Sequence, residues 1–170
     1  MNRFRANPRL LAPILAGMAM LGPFTIDAFF PAFRAMEADF GVSPEVMQQS
    51  LSVYLIAFAA MSLLHGPLSD AYGRRGVVLW SLILFALATV GCALSPSYEL
   101  LLVYRAMQGV CAGAGMIVGR AIIRDRYDGA DAQRLMSQVS FIFGFAPAIA
   151  PIVGGFVLGV AGWRAIFWLL

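Results

Sequence analysis

Charge is what this sequence has least of. Asp, Glu, Arg and Lys make up 12% of its 170 residues, while hydrophobic residues reach 61%. An average soluble domain carries about 25% charged residues and roughly 45–50% apolar ones. A soluble chain of this length buries one core and could not hide so much apolar surface from water, which leaves a bilayer as the solvent that fits. Lysine is absent: all 12 basic residues are arginine. They stand mostly between apolar segments, with no basic helix or aromatic stacking platform. The net charge of +3 therefore does not point to nucleic acid. Histidine occurs once, at His65, with no Cys, His or carboxylate at helical spacing, and it reads as a helix-end residue. Cys92 and Cys111 both fall inside apolar segments and make neither a disulfide framework nor a metal-ligand pattern, so no metal is expected. No nucleophile–base pair, phosphate loop or metal cluster is visible, which argues against an enzyme.

What is abundant is apolar sequence in membrane-length runs. A helix needs about 20 apolar residues to cross a hydrocarbon core of roughly 30 Å. Five stretches qualify: Leu10 to Phe33, Met47 to Leu64, Val77 to Leu94, Tyr98 to Ile122 and Leu135 to Val160. A sixth opens after Gly162-Trp163-Arg164 with Ala165 to Leu170, too short to span. The fold class expected is all-α integral membrane, with five complete membrane helices plus the start of a sixth. Gly41-Val42-Ser43-Pro44 marks the start of the second helix, with Ser43 as N-cap and Pro44 at the first helical position. Ser95-Pro96-Ser97 makes the turn between the third and fourth. Asp125 to Asp131 reads as a polar connection before the fifth. The first segment is too long for a signal-peptide core and is followed by further spans, so it reads as a membrane helix.

Arginine placement sets an orientation. With the N-terminus in the cytoplasm, Arg3, Arg5, Arg9, Arg74, Arg75, Arg120, Arg124, Arg126 and Arg134 fall on the inner side. Only Arg34 and Arg164 fall outside, and Arg105 lies within a helix. The positive-inside rule is met this way round and violated the other.

Polar groups inside the apolar runs carry the chemistry. Asp27 lies within the first segment, on one helix face with Pro23 and Pro31. A carboxylate at mid-membrane costs about 2.5–3.5 kcal/mol on insertion scales and normally faces a cavity or a partner. Arg105 lies in the fourth segment at a matching depth, roughly 10 Å below the outer boundary at 1.5 Å per residue. An Asp27–Arg105 pair is geometrically open to them. A carboxyl group's hold on its proton depends on hydration and on nearby cations, so a conformational change could load or release a proton there. A static ion pair that fixes packing is the equal alternative. Gly109 with Gly113, and Gly115 with Gly119, form GxxxG pairs that let the fourth helix approach its neighbours closely. In the fifth segment Gly144, Pro147, Pro151, Gly155 and Gly159 read as a small, kinked, close-packing stripe. The stretch from Gly66 to Arg75 reads as a loop. Gly66 and Gly73 there allow a tight turn, and Asp70 can sit at a helix end or pair with Arg74 and Arg75.

At that stretch the sequence resembles the major facilitator superfamily, through Gly66, Leu68, Asp70, Gly73, Arg74 and Arg75. Leu101 to Gly109, with Arg105, Gln108 and Gly109, is similar to the fourth-helix motif of proton-coupled members. Ala146 to Gly155, with Pro147, Pro151, Gly154 and Gly155, is similar to the antiporter motif of the fifth, although Ala150 stands where glycine is usual before Pro151. Asp27 with Phe29, Phe30 and Pro31, and Gly162 to Phe167, resemble the bicyclomycin- and chloramphenicol-type drug exporters. The resemblance implies a twelve-helix transporter in two halves. Residues 1–170 would be its N-terminal six-helix domain, truncated in the sixth helix, with the C-terminal half as missing partner. It implies a proton-coupled exporter of small apolar drug-like compounds in a bacterial inner membrane, with the proton as coupling ion and no other cofactor. Asp27 would carry the proton and Arg105 would tune it. Gly66, Asp70, Gly73, Arg74 and Arg75 would gate the cytoplasmic side, and the fifth-helix motif would favour antiport. Phe24, Phe30, Tyr54, Met61 and Met107 are candidate cavity residues, with lipid-facing packing as the plainer account of each. A metabolite transporter of the same fold and a truncated, non-transporting membrane protein remain the alternatives.

Overall fold

The computed structural model describes residues 8–170, and every element among them is helical. Arg3 and Arg5, counted above toward the orientation, lie outside the described residues. Helix α1 (Pro8–Phe29) passes through a 3-10 turn (Phe30–Ala32) into α2 (Phe33–Phe40). Pro31 has no N–H to give the α-helical ladder, so the chain tightens there and continues past the expected end at Phe33. Gly41 ends α2 in the left-handed region (φ 65°) and donates its N–H to the Glu37 carbonyl. Ser43 caps α3 (Pro44–Tyr72) by accepting from the Val46 N–H at 3.4 Å.

The stretch from Gly66 to Arg75 is not the expected loop. Helix α3 runs on through Gly66, Pro67 and Asp70 to Tyr72, and α4 (Arg74–Leu94) starts one residue later. Pro67 interrupts only one hydrogen bond and lies on the exposed side of α3, so it does not stop the helix. Gly73 alone makes the break, at φ 89° and ψ 140°, a conformation open to glycine and costly for other residues. His65, expected at a helix end, is instead a buried residue in the interior of α3.

Helix α5 (Tyr98–Arg126) is capped by Ser97. The connection expected over Asp125 to Asp131 shrinks to Tyr127 and Asp128 before α6 (Gly129–Phe143). The fifth segment is two helices, because the chain turns at Gly144 and Phe145 before α7 (Ala146–Ala161). Pro147 offers no N–H to the Phe143 carbonyl, which places the break there. The short α8 (Trp163–Leu169) follows. Counting α1–α2 and α6–α7 as single spans, five helices among the described residues are long and apolar enough to cross a membrane.

Helix α5 is the centre of the bundle, packed against α1, α3, α4 and α6. Of its apolar window 56% is buried in the protein, against 11% for α3. Its two GxxxG pairs serve different neighbours. A Cβ on Gly109 would fall well inside 3.0 Å of the Tyr54 carbonyl oxygen of α3, and Gly113 faces Ser62 and His65 of the same helix. A Cβ on Gly115 would strike the Met18 backbone of α1, and Gly119 faces Leu15. Without a hydrophobic effect between helices in lipid, such close approach is what holds them together.

A polar clip closes the end of the bundle where α2, α8 and the α4–α5 turn meet. Asp39 accepts from Arg164 Nη1 at 2.7 Å and from Trp163 Nε1 at 3.1 Å. The Arg164 guanidinium also lies 4.1 Å from the centre of the Trp163 ring. Asp39 and Arg164 are each nearly half exposed, so screening leaves the ion pair worth about 1 kcal/mol or less. Asp39→Ala is therefore expected to lower the melting temperature of the detergent-solubilised protein by only a few degrees. A collapse of the fold would mean that this clip nucleates the bundle.

Candidate functional site: a buried guanidinium with free donors

Arg105 is the largest fully buried side chain in the structure. Glycine at 109 lets α5 press against α3, and this close approach seals the guanidinium between two rings. Its central carbon lies 4.6 Å from the ring centre of Phe29 on α1 and 4.5 Å from that of Tyr54 on α3. Desolvated cation–π contacts of this kind are worth about 2 kcal/mol each. Tyr54 is itself fixed, donating its hydroxyl proton to the Gly22 carbonyl at 3.0 Å.

A polar chain runs from Arg105 into α4. Arg105 Nη1 donates to Gln108 Oε1 at 3.0 Å, and Gln108 Nε2 donates to Thr89 Oγ1 at 2.7 Å. Thr89 passes its own proton to the Phe85 carbonyl at 2.7 Å. The Cys92 thiol makes a weaker contact with Gln108 Oε1 at 3.6 Å. Arg105 Nε and Nη2 find no hydrogen-bond partner among the described residues. Buried polar groups are almost always partnered, so two unpartnered N–H groups on one buried cation need an explanation.

The anticipated Asp27–Arg105 pair is not formed among the described residues. Depth was the basis of that expectation, and depth is roughly right. Facing is the difference. Phe29 occupies the side of α1 toward Arg105, and residues two apart on an α-helix point about 200° apart. Asp27 therefore turns away from Arg105 and is half-buried. The residue between them, Ala28, packs against α7: a Cβ on Gly154 would overlap the Ala28 carbonyl. Gly154 shares its buried face with Ala146 and Ala150. The stripe read from Gly144, Pro147, Pro151, Gly155 and Gly159 is not the packing face in this structure. Gly144, Pro147 and Gly159 are exposed, and a Cβ on Gly155 or Gly159 would have nothing within 4 Å. Counting glycine and proline without alanine put that reading one residue out of register.

The motif at the α3–α4 break forms a second polar cluster. Arg74 pairs with Asp70 at 2.6 Å and with Asp125 at 2.9 Å, and also donates to Ser69 Oγ. Ser69 in turn donates to the Gly66 carbonyl at 2.9 Å. Arg75 is exposed and outside this network. The contribution of Asp125 was missed, since its charge read only as loop polarity. Thr89 was missed too. One of two hydroxyls in α4, it was the only available signal.

The candidate cavity residues do not gather in one place. Tyr54 is buried under Arg105, Phe24 packs against the core around Phe29, and Phe30 and Met107 are exposed. Met61 lines a groove of about 430 Å³ between α3, α4 and α5, with His65, Tyr72, Trp80 and Ser81. A smaller recess of about 200 Å³ lies between α1, α5 and α6, with Arg120 on its lining.

Comparison with known proteins identifies the family. Residues 15–170 match the Major Facilitator Superfamily. The chain is 39% identical over 162 residues to an uncharacterised MFS-type transporter, YdgK, of Bacillus subtilis, covering 94% of this chain and 40% of that protein. A bicyclomycin resistance protein homologue of Haemophilus influenzae is 31% identical over 153 residues, 90% of this chain and 38% of the relative. A chloramphenicol resistance protein of Pseudomonas aeruginosa is 33% identical over 155 residues, 91% of this chain and 37% of the relative. The chain thus spans about two fifths of the length of the curated relatives it matches.

Proposed function

Because this chain belongs to the major facilitator superfamily, a family of transporters and not of enzymes, we propose that it serves proton-coupled export of small, mostly apolar compounds by alternating access. The observation that carries the reading is the Arg105 guanidinium, fully buried against Phe29, which lies two residues along α1 from Asp27, with Nε and Nη2 unpartnered among the described residues. A buried cation with free donors is poised for an anion. Asp27 can supply one if α1 twists so that residue 27 replaces residue 29 against Arg105. Pro23 on one side of Asp27 and the 3-10 turn at Phe30–Ala32 on the other weaken the helix ladder and make it the place to twist. In this cycle Asp27 is protonated when it faces away and gives up its proton when it meets Arg105. Names of relatives support the substrate class, since bicyclomycin and chloramphenicol resistance are the properties for which two of them are named.

The orientation places the N-terminus and the Asp70–Arg74–Asp125 cluster at the cytoplasmic face of a bacterial inner membrane, as the arginine distribution favours. There Asp70 and Arg74 would brace the α3–α4 hairpin against the second half of a full-length transporter. One proton entering down 100 mV supplies about 2.3 kcal/mol, enough for a substrate gradient of tens-fold at about 1.4 kcal/mol per tenfold.

The test uses inside-out vesicles carrying the full-length protein, energised to acidify the lumen and followed with a pH-sensitive dye. Chloramphenicol and bicyclomycin are added first. Wild-type protein is expected to release protons on substrate addition and Asp27→Asn to release none. Release that survives in Asp27→Asn would move the coupling site to another residue. Absence of release with any drug, in protein shown to be inserted, would favour a metabolite transporter.

A further inference from the structure

We infer that Thr89 of α4 is a positioning residue for Arg105, acting through Gln108 to hold the guanidinium with two of its N–H groups free. The inference rests on the proton-coupling reading above and adds to it a residue on a helix outside the resemblance motifs.

The case is one of hydrogen-bond direction. A threonine hydroxyl has one proton and two lone pairs. The proton of Thr89 is committed to the Phe85 carbonyl at 2.7 Å, within its own helix. Toward Gln108 its oxygen can therefore only accept. Gln108 must turn its NH2 to α4, at 2.7 Å, and its carbonyl oxygen toward Arg105, at 3.0 Å. The opposite amide orientation would set NH2 against the guanidinium and a carbonyl against a hydroxyl oxygen whose proton is already used. Both contacts would become repulsive. Gln108 is fully buried and Thr89 nearly so, which leaves no solvent to relieve either mismatch. The Cys92 thiol favours the same orientation, pointing its weak donor at Gln108 Oε1.

The consequence falls on Arg105. Among the described residues Arg105 makes one hydrogen bond, to Gln108, and the rings of Phe29 and Tyr54 fix the plane but not the rotation within it. Holding Nη1 on Gln108 decides that Nε and Nη2 are the free pair. Around this group, α3 presents Tyr54 and α4 presents Cys92 as titratable neighbours, while α1 presents the Phe29 ring. No carboxylate among the described residues takes the place that the free donors leave open. Thr89 thus sets which donors an incoming carboxylate meets.

Two variants separate this role from packing. Thr89→Val keeps the shape and removes the acceptor, whereas Thr89→Ser keeps the hydroxyl and removes a methyl group. In the vesicle assay with full-length protein, Thr89→Val is expected to lose about tenfold in substrate-dependent proton release, because the buried Gln108 NH2 is left without its acceptor and can turn away from Arg105. Thr89→Ser is expected to stay within about twofold of wild type. Combining Thr89→Val with Gln108→Leu should cost no more than Gln108→Leu alone, because both act on one chain. A packing role gives the reverse ranking, with Val tolerated and Ser impaired, and that result overturns the inference. A readout independent of transport is the 15N-arginine spectrum of the same protein in detergent. The Arg105 Nε–H resonance, assigned through its loss in Arg105→Met, should shift in Thr89→Val and stay in Thr89→Ser. If wild type releases no protons the transport reading fails, while the spectrum still decides the role of Thr89. An unmoved resonance in Thr89→Val overturns it.

Discussion

Gly154→Ala is expected to unfold the contact between α1 and α7, while Gly155→Ala, one residue away in the same motif, leaves it intact. At Gly154 the added methyl would meet the carbonyl oxygen, carbonyl carbon and Cα of Ala28, all inside 3.0 Å. These are backbone atoms of a helix and cannot swing aside as the end of a flexible side chain can. Relief requires α7 to move away from α1 as a body, which also strips Ala146 and Ala150 from their buried positions. Overpacking of a tight interface typically costs about 1–3 kcal/mol, and a clash with backbone belongs at the upper end or beyond. Close helix approach is a main source of association energy in a membrane, so little else compensates. At Gly155 the same methyl meets nothing within 4 Å. Thermal unfolding of the full-length protein in detergent checks the pair of variants. A large drop for Gly154→Ala beside a small change for Gly155→Ala supports the described interface. Equal drops would mean that the register of α7 on α1 is different. Proton release should follow the same order, because Ala28 sits next to Asp27 and a displaced α7 changes the surroundings of that carboxylate.

Much of this arrangement was legible in the sequence, and the losses share a cause. Composition and run length yield the number of spans, since the cost of exposed apolar or unpaired backbone groups allows few alternatives. Ser43 and Pro44 mark a helix start because a side-chain acceptor and a missing donor act within one turn, and Ser95-Pro96-Ser97 marks the turn before α5. The second span was read too short because Gly66 and Pro67 are breakers in water. Inside an apolar run a single lost hydrogen bond does not end a helix. The fifth was read as one kinked helix and not as two, because its hydropathy is continuous across Gly144 and Phe145, and hydropathy does not register backbone geometry. Azimuth was the information most lacking. Depth along a helix follows from counting at 1.5 Å per residue, but the side it faces depends on neighbours that spacing does not identify. Asp27 and Arg105 were accordingly matched in depth and mismatched in facing. The packing face of α7 was assigned one residue from Ala146, Ala150 and Gly154. Thr89 was overlooked for the same reason, because a lone hydroxyl in an apolar helix gains meaning only from the amide opposite it.

Arg105→Met is expected to abolish proton coupling while leaving the fold as stable as wild type or more so. Taking a cation out of water costs several kcal/mol even after the protein relaxes. Against this Arg105 has one hydrogen bond to Gln108 and two ring contacts, with Nε and Nη2 unpartnered among the described residues. The two cation–π contacts contribute about 2 kcal/mol each at best and the hydrogen bond about 1.5–3 kcal/mol, so cost and gain roughly cancel. Methionine has a similar reach, can lie between Phe29 and Tyr54 with favourable sulfur–aromatic contact, and carries no charge to desolvate. Gln108 keeps Thr89 as acceptor, and its carbonyl retains the Cys92 thiol. Arg105→Lys, the variant conservative in charge, should be the less stable of the two. It buries an ammonium that cannot stack flat between the rings or keep the planar fork aimed at Gln108. The expected order of melting temperature is therefore Met at or above wild type, with Lys below. In vesicles Arg105→Met should fall to the background seen with Asp27→Asn, since no cation then remains to draw the proton from residue 27. If Arg105→Met instead destabilises by more than about 3 kcal/mol, the range of a lost core side chain, the guanidinium is a structural post. Stability retained with coupling lost marks Arg105 as a charge kept in the membrane for the transport cycle, at no advantage to the fold that holds it.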